Sequence, residues 1–192
     1  MKRIAFILAA LLTMCLTVGA QSADKLYEEG KKFYDAQNYT AAFPKLKAAA
    51  EKGHKKAQYR LGRCYEKGRG TEENDKTAAE WYGKSAAQGY AKAQYQLGKC
   101  YKDGDGVAKD KKKAFDLFKK AASQENADAE FALGKAYLKG KGTTADKAQA
   151  KKWISRAVGN EKGGKEILAE LRKDAADGDE DAKEILALIG KK

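Results

Sequence analysis

The stretch Ala57-Gln58-Tyr59-Arg60-Leu61-Gly62-Arg63-Cys64-Tyr65-Glu66-Lys67-Gly68-Arg69-Gly70 decides how this chain folds. It returns as Ala93-Gln94-Tyr95-Gln96-Leu97-Gly98-Lys99-Cys100-Tyr101-Lys102-Asp103-Gly104-Asp105-Gly106. A third copy is Ala129-Glu130-Phe131-Ala132-Leu133-Gly134-Lys135-Ala136-Tyr137-Leu138-Lys139-Gly140-Lys141-Gly142, and the step is 36 residues both times. A fixed period between 20 and 50 residues means stacked supersecondary units rather than one globular core. The predicted fold class is therefore all-α: an α-solenoid of antiparallel helix pairs. Function is to be sought on a repeated surface, not in one catalytic pocket.

Each unit predicts a first helix (residues 55–67, 91–103 and 127–139), a Gly-x-Gly loop and a second helix. Glycine just past a helix supplies the left-handed conformation that closes it. Asn74, Asp110 and Asp146, again 36 apart, are natural N-caps for the second helices. Those helices carry Ala78, Trp81 and Ala86, then Ala114, Leu117 and Ala122, then Ala150, Trp153 and Val158. Matching alanines let paired helices approach, and the tryptophans fill gaps between units. Upstream, residues 23–37 and 41–52 predict one more helix pair, with Pro44 in the first turn of its second helix, where a missing N–H costs little. Downstream, residues 165–176 and 181–189 predict a degenerate last pair without the glycine loop. Terminal repeats are atypical because one face has no neighbour.

The first twenty residues read differently. Met1-Lys2-Arg3 is a short basic start, an apolar run follows from Ile4 to Met14, and Val18-Gly19-Ala20 offers a small-residue cleavage site. This predicts a signal peptide over 1–20, its apolar run well short of the roughly 20 residues a membrane span requires. The expected product is exported, periplasmic or secreted, and without a transmembrane segment. Removing Lys2 and Arg3 from 39 basic residues leaves 37 against 27 acidic, a net charge of +10. The excess lies in residues 21–162, while residues 163–192 hold 6 basic and 8 acidic residues. A basic body favours acidic partners; with no arginine-rich run or nucleic-acid motif, nucleic acid is not an expected partner.

Two cysteines follow the leader, Cys64 and Cys100, at one repeat position. Equivalent residues of stacked helices lie roughly 8–10 Å apart, beyond the separation of about 4.4–6.8 Å that a disulfide spans. Buried thiols are the expectation, with a disulfide kept open by the exported setting.

The chain resembles the Sel-one-like repeat (SLR) family, a relative of the tetratricopeptide repeat with a longer inter-helix loop. The residues that carry this are Ala-x-x-x-Leu-Gly-x-x-Tyr-x-x-Gly-x-Gly, the Asp and Lys that follow, and Ala-x-x-Trp before a Lys-Ala-Ala-like ending. Three copies span 55–162. Residues 21–54 are similar to a tetratricopeptide pair through Gly30, Tyr39, Ala42, Leu46 and Ala49, and 163–192 form the capping pair, all within one domain, 21–192. The match departs where Leu117 replaces tryptophan and where Glu125 and Glu161 replace the closing glycines Gly53 and Gly89. The resemblance implies a non-enzymatic protein–protein interaction module or adaptor of the bacterial envelope. Some exported relatives neutralise phospholipase effectors of type VI secretion, so an immunity role is the alternative.

Catalytic, metal and cofactor chemistry finds no support in the residues. His54 is the sole histidine, expected in a solvated turn, and no histidine cluster or triad can form from it. The Gly-x-Gly loops lack the lysine and hydroxyl residue of a phosphate cradle. Asp177-Gly178-Asp179-Glu180-Asp181 is acidic like a calcium loop, yet Ala182 and Leu188 stand where such a loop needs Gly and Glu; it reads as a turn with N-caps.

What remains is a ladder. Tyr27, Tyr59, Tyr95 and Phe131 share one register, and Lys31, Arg63, Lys99 and Lys135 follow four residues later on the same helix face. In tetratricopeptide geometry these first helices line the concave wall. Aromatic rings beside cations are what binding hot spots are built from. The expectation is a monomer that holds an acidic or extended protein segment in this groove. Reversing Arg63 and Lys99 is expected to matter more than reversing Lys111 and Lys112 on an outer loop.

Overall fold

The computed structural model describes residues 21–191; the leader read over residues 1–20 lies outside them. Ten α-helices and no strands appear among the described residues. They form five antiparallel hairpins: α1 (Ala23–Asp35) with α2 (Tyr39–Glu51), α3 (Lys55–Glu66) with α4 (Asp75–Ala87), α5 (Ala91–Asp103) with α6 (Lys111–Ala122), α7 (Ala127–Lys139) with α8 (Lys147–Val158), and α9 (Gly164–Ala176) with α10 (Glu180–Ile189). The second helix of each of the first three hairpins packs on the first helix of the next, and α9 and α10 both close onto α8. This is the all-α solenoid that the 36-residue period predicts.

The repeat residues show why the hairpins close. Gly62, Gly98 and Gly134 leave the first helix bare at one spot, and Tyr82, Phe118 and Ile154 from the second helix lie there. A Cβ on Gly62 or Gly98 would stand 2.6 Å from the ring, and one on Gly134 would stand 2.5 Å from Ile154. Trp81 and Trp153 are only partly buried; each packs at a seam between units. The N-caps form as read, with Asn74, Asp110 and Asp146 accepting from Thr77, Lys113 and Gln149 N–H at 2.9 Å, each worth about 1 kcal/mol. The second glycine of each loop docks one unit on the last: a Cβ on Gly70, Gly106 or Gly142 would collide with the carbonyl of Tyr39, Asp75 or Lys111.

A second tie between units is polar and was not anticipated. Buried Gln58 donates to Ala50 O at 3.2 Å, and Gln88 bridges Gln58 Oε1 at 2.7 Å and Gly53 O at 3.0 Å. One repeat on, Gln94 donates to Ala86 O and Gln124 to Gln94. The third copy carries Glu130, fully buried, which cannot donate. Asn160 reaches Glu130 Oε2 at 3.3 Å and Glu125 O at 3.0 Å. Arg156 Nε lies 2.6 Å from Glu130 Oε1, close as an ion pair although not aligned as a hydrogen bond.

Two local expectations need correcting, and one departure from the repeat keeps its geometry. Pro44 sits in the second turn of α2, not the first, because the helix starts at Tyr39 behind its Asn38 cap; its helix-breaking cost falls on Thr40 O, on the exposed side. His54 is not a solvated turn residue. Its Nδ1 caps α3 by accepting from Ala57 N–H at 3.1 Å, and its ring stacks on Tyr27 at 4.2 Å. Burial pulls its pKa below the ordinary value, with Asp24 opposing. Glu125, in place of a closing glycine, keeps the left-handed turn with φ +60°.

Candidate functional site

The eight ladder residues fall into two groups. In the N-terminal group Tyr27 is only 6% exposed, and Lys31 pairs with Asp35 at 3.3 Å. Tyr59 packs against Tyr82 and Tyr90, with centroids 5.9 and 5.4 Å apart. Arg63 is half-buried near Tyr34, Tyr59 and Tyr82, and its Nε meets no hydrogen-bond partner among the described residues. Nearby, Arg60 and Arg69 stack over Tyr34, and Arg69 Nη1 donates to its hydroxyl at 2.7 Å.

The C-terminal group converges. Tyr95, Lys99, Phe131 and Lys135 all line one cleft of about 520 Å³ between α5 and α7, floored by Ala114, Phe115 and Phe118 of α6. Lys99 Nζ sits 6.0 Å from the Tyr95 centroid and Lys135 Nζ 5.5 Å from that of Phe131, within cation–π range. Among the described residues neither lysine has a carboxylate within ion-pair distance. Lys102, Lys109, Lys111, Lys139 and Lys141 extend the wall, so seven lysines face three acids, Asp103, Asp128 and Asp181. Lys111 therefore lines the cleft rather than an outer loop and is no control for it.

Beyond Phe131 the wall changes sign. An adjoining cleft of about 280 Å³ shares Tyr95, Phe131, Lys135, Asp128 and Asp181 with the first. Its far side belongs to the terminal pair: Ile167, Leu171 and Ile185 between Glu170, Asp174 and Asp179. Thus five acids face one lysine. Ile167 and Leu171 stand 36 residues on from Phe131 and Lys135, so the same register continues with apolar residues. Tyr95 feels this neighbourhood: burial first, then Asp128 and Glu170, push its phenol up to about 12. Lys139 ties the terminal pair down, 2.9 Å from Asp181 Oδ1 and 2.7 Å from Glu184 Oε2. These partners lower the pKa of Asp181 and lift that of Lys139 to about 12.

The remaining groups are quiet. Asp179 caps α10, accepting from Ala182 N–H at 2.8 Å, so the acidic turn is a cap. Cys64 is buried and Cys100 half-buried, both thiols, pushed up to about 11 and about 12 by burial; neither is poised as a thiolate. No cluster of three metal-ligating side chains occurs among the described residues, and none of their helices is long and apolar enough to cross a membrane.

The family model for the Sel1 repeat matches residues 55–90, 91–126 and 127–158. Among solved structures, the chain is similar to a Sel1 repeat protein from Oxalobacter formigenes at 30% identity and a TM-score of 0.67, over 84% of this chain and 74% of that one. It is also similar to c5321, a protective antigen of uropathogenic Escherichia coli with an SLR fold, at 28% identity and a TM-score of 0.72. That match covers 94% of this chain but only 40% of the antigen. The immunity protein Pa5087 from Pseudomonas aeruginosa is 21% identical with a TM-score of 0.44, covering 87% and 80%, a likeness too slight to carry an argument. Among curated proteins none matches. Sel1 repeats are generally protein–protein interaction modules. With three tandem copies over more than half its length, this chain belongs to the Sel1 repeat family.

Proposed function

We propose that the chain is an exported, monomeric, non-enzymatic adaptor that holds an acidic, extended segment of a protein partner in the cleft between α5 and α7. One observation carries this reading: Tyr95 and Phe131 share that cleft with Lys99, Lys135 and five further lysines. A cleft whose wall carries seven lysines against three acids has a basic excess, which draws in opposite charge and raises the on-rate. The partly buried rings supply rigid contact area once the partner has displaced water. Export rests on the basic-apolar leader in residues 1–20.

The test is capture from a native envelope extract on immobilised protein, wild type against Lys99→Glu/Lys135→Glu and against Lys31→Glu/Lys112→Glu. The cleft pair should lose the retained protein by about a hundredfold in affinity, or roughly 2–3 kcal/mol. The control pair should hold it. Equal retention by both variants would remove the cleft from the reading. N-terminal sequencing of the protein expressed with its leader should begin at Gln21; an intact Met1 would remove the export.

A further inference from the structure

From the change of sign along the cleft we infer the chemistry of the segment, an inference that rests on the adaptor reading above. The segment is charge-polarised: a run of carboxylates, an apolar anchor, then one or more Lys or Arg residues. The two clefts meet at Tyr95 and Phe131, which line both, so one extended chain can pass from the first to the second over these rings. The lysine wall lies along the first part of that path. Along the second, Glu170 and Asp174 of α9 are held opposite Lys135, where a uniformly acidic ligand meets like charge. Like-charge juxtaposition across an interface costs affinity and rejects wrong partners. An acidic stretch that ended in cations would satisfy both walls and fix its own register.

The terminal pair is held for this. Lys139 bonds Asp181 and Glu184 of α10, and Ile167, Leu171 and Ile185 pack in the same core cluster as α7 and α8. The acidic wall is therefore attached to the rest of the solenoid rather than hanging from it.

Fluorescence anisotropy with three labelled peptides tests this: a Glu block, Phe-Leu and a Lys block, made in both orders; the same anchor between two Glu blocks; and the same anchor between two Lys blocks. The better order of the mixed peptide should bind the full chain about tenfold tighter than the all-Glu peptide. Glu170→Lys/Asp174→Lys should cancel or invert that preference, and both positions have enough exposure to accept lysine. If the all-Glu peptide binds as tightly, in a manner lost in Lys99→Glu/Lys135→Glu, the polarity is refuted and the acidic-segment reading stands. If no peptide binds, or sedimentation shows a dimer that Lys135→Glu abolishes, the occupant is not such a segment and both readings fall. Should the cap variant not fold, the wild-type peptide comparison decides alone.

Discussion

The first and last thirds of the solenoid put the same repeat register to opposite uses. At the N-terminal end Tyr27 is covered by His54, the cap of α3, and Lys31 is tied to Asp35 within α1, so the register is consumed in contacts internal to the solenoid. At the C-terminal end Phe131 and Lys135 face a cleft with no carboxylate on the lysine. The cause is local. His54, Arg60 and Arg69 gather where the first hairpin meets the first repeat and pack on Tyr27, Tyr34 and Tyr39, whereas Asn126, Ala132 and Lys141 hold those repeat positions beside Phe131. A repeat protein can thus carry one ladder in its sequence and expose only part of it.

That contrast gives its largest effect in stability. Tyr27→Ala removes a buried, stacked ring and should cost about 3 kcal/mol in urea unfolding. Phe131→Ala removes a partly exposed one and should cost about 1–2 kcal/mol while weakening acidic-peptide binding. Similar losses from both, with binding untouched, would mean the two ends do the same work.

The next effect tests a difference at the buried polar position. Gln58 and Gln94 are neutral, whereas Glu130 is a fully buried carboxylate facing Arg156, which is 42% exposed. Removing one partner of a buried pair strands the other charge. Arg156→Ala should therefore cost about 2–3 kcal/mol, the lower end because water reaches the arginine. In a Glu130→Gln background the amide can donate to Ala122 O as its counterparts do, and the same change should cost under about 1 kcal/mol. A double-mutant cycle reads the coupling. Equal costs in both backgrounds would show that the ion pair carries nothing special.

The period, the caps and the loop glycines were legible in the sequence because each has a local cause. Asn74, Asp110 and Asp146 cap whatever helix follows them, and Gly68, Gly104 and Gly140 turn left-handed to leave the first helix. The docking of Gly70, Gly106 and Gly142 on the preceding unit is instead a distant contact that the spacing did not reveal. The first-helix glycines showed as a repeat without showing what sits on them, since Tyr82, Phe118 and Ile154 share size but not chemistry. The burial of Gln58 and Gln94 was not legible, because nothing in a glutamine's identity tells burial from exposure. The candidate site was legible in register but not in extent. Tyr95, Lys99, Phe131 and Lys135 meet as a 36-residue step requires. The burial of Tyr27 depends on His54, and the acidic far wall depends on how a degenerate pair folds back, which no repeat predicts.

The smallest effect lies where the two ends differ in one backbone turn. Gly53 and Gly89 close their units with φ of +86° and +77°, and Glu125 does the same job at +60°. An L-residue there carries about 1–2 kcal/mol of steric cost that glycine lacks. Glycine returns part of this through its freer unfolded chain, and the exposed 3.8 Å contact of Glu125 with Arg156 is worth little. Glu125→Gly should therefore stabilise by a net of about 0.5–1 kcal/mol, read as a shift in urea midpoint at constant slope. The reverse change, Gly89→Glu, should cost a similar amount, because a Cβ on Gly89 would meet no atom within 4 Å and only the backbone conformation resists it. If Glu125→Gly is neutral or destabilising, then Glu125 does more than close a turn, and the third repeat owes its junction to that side chain.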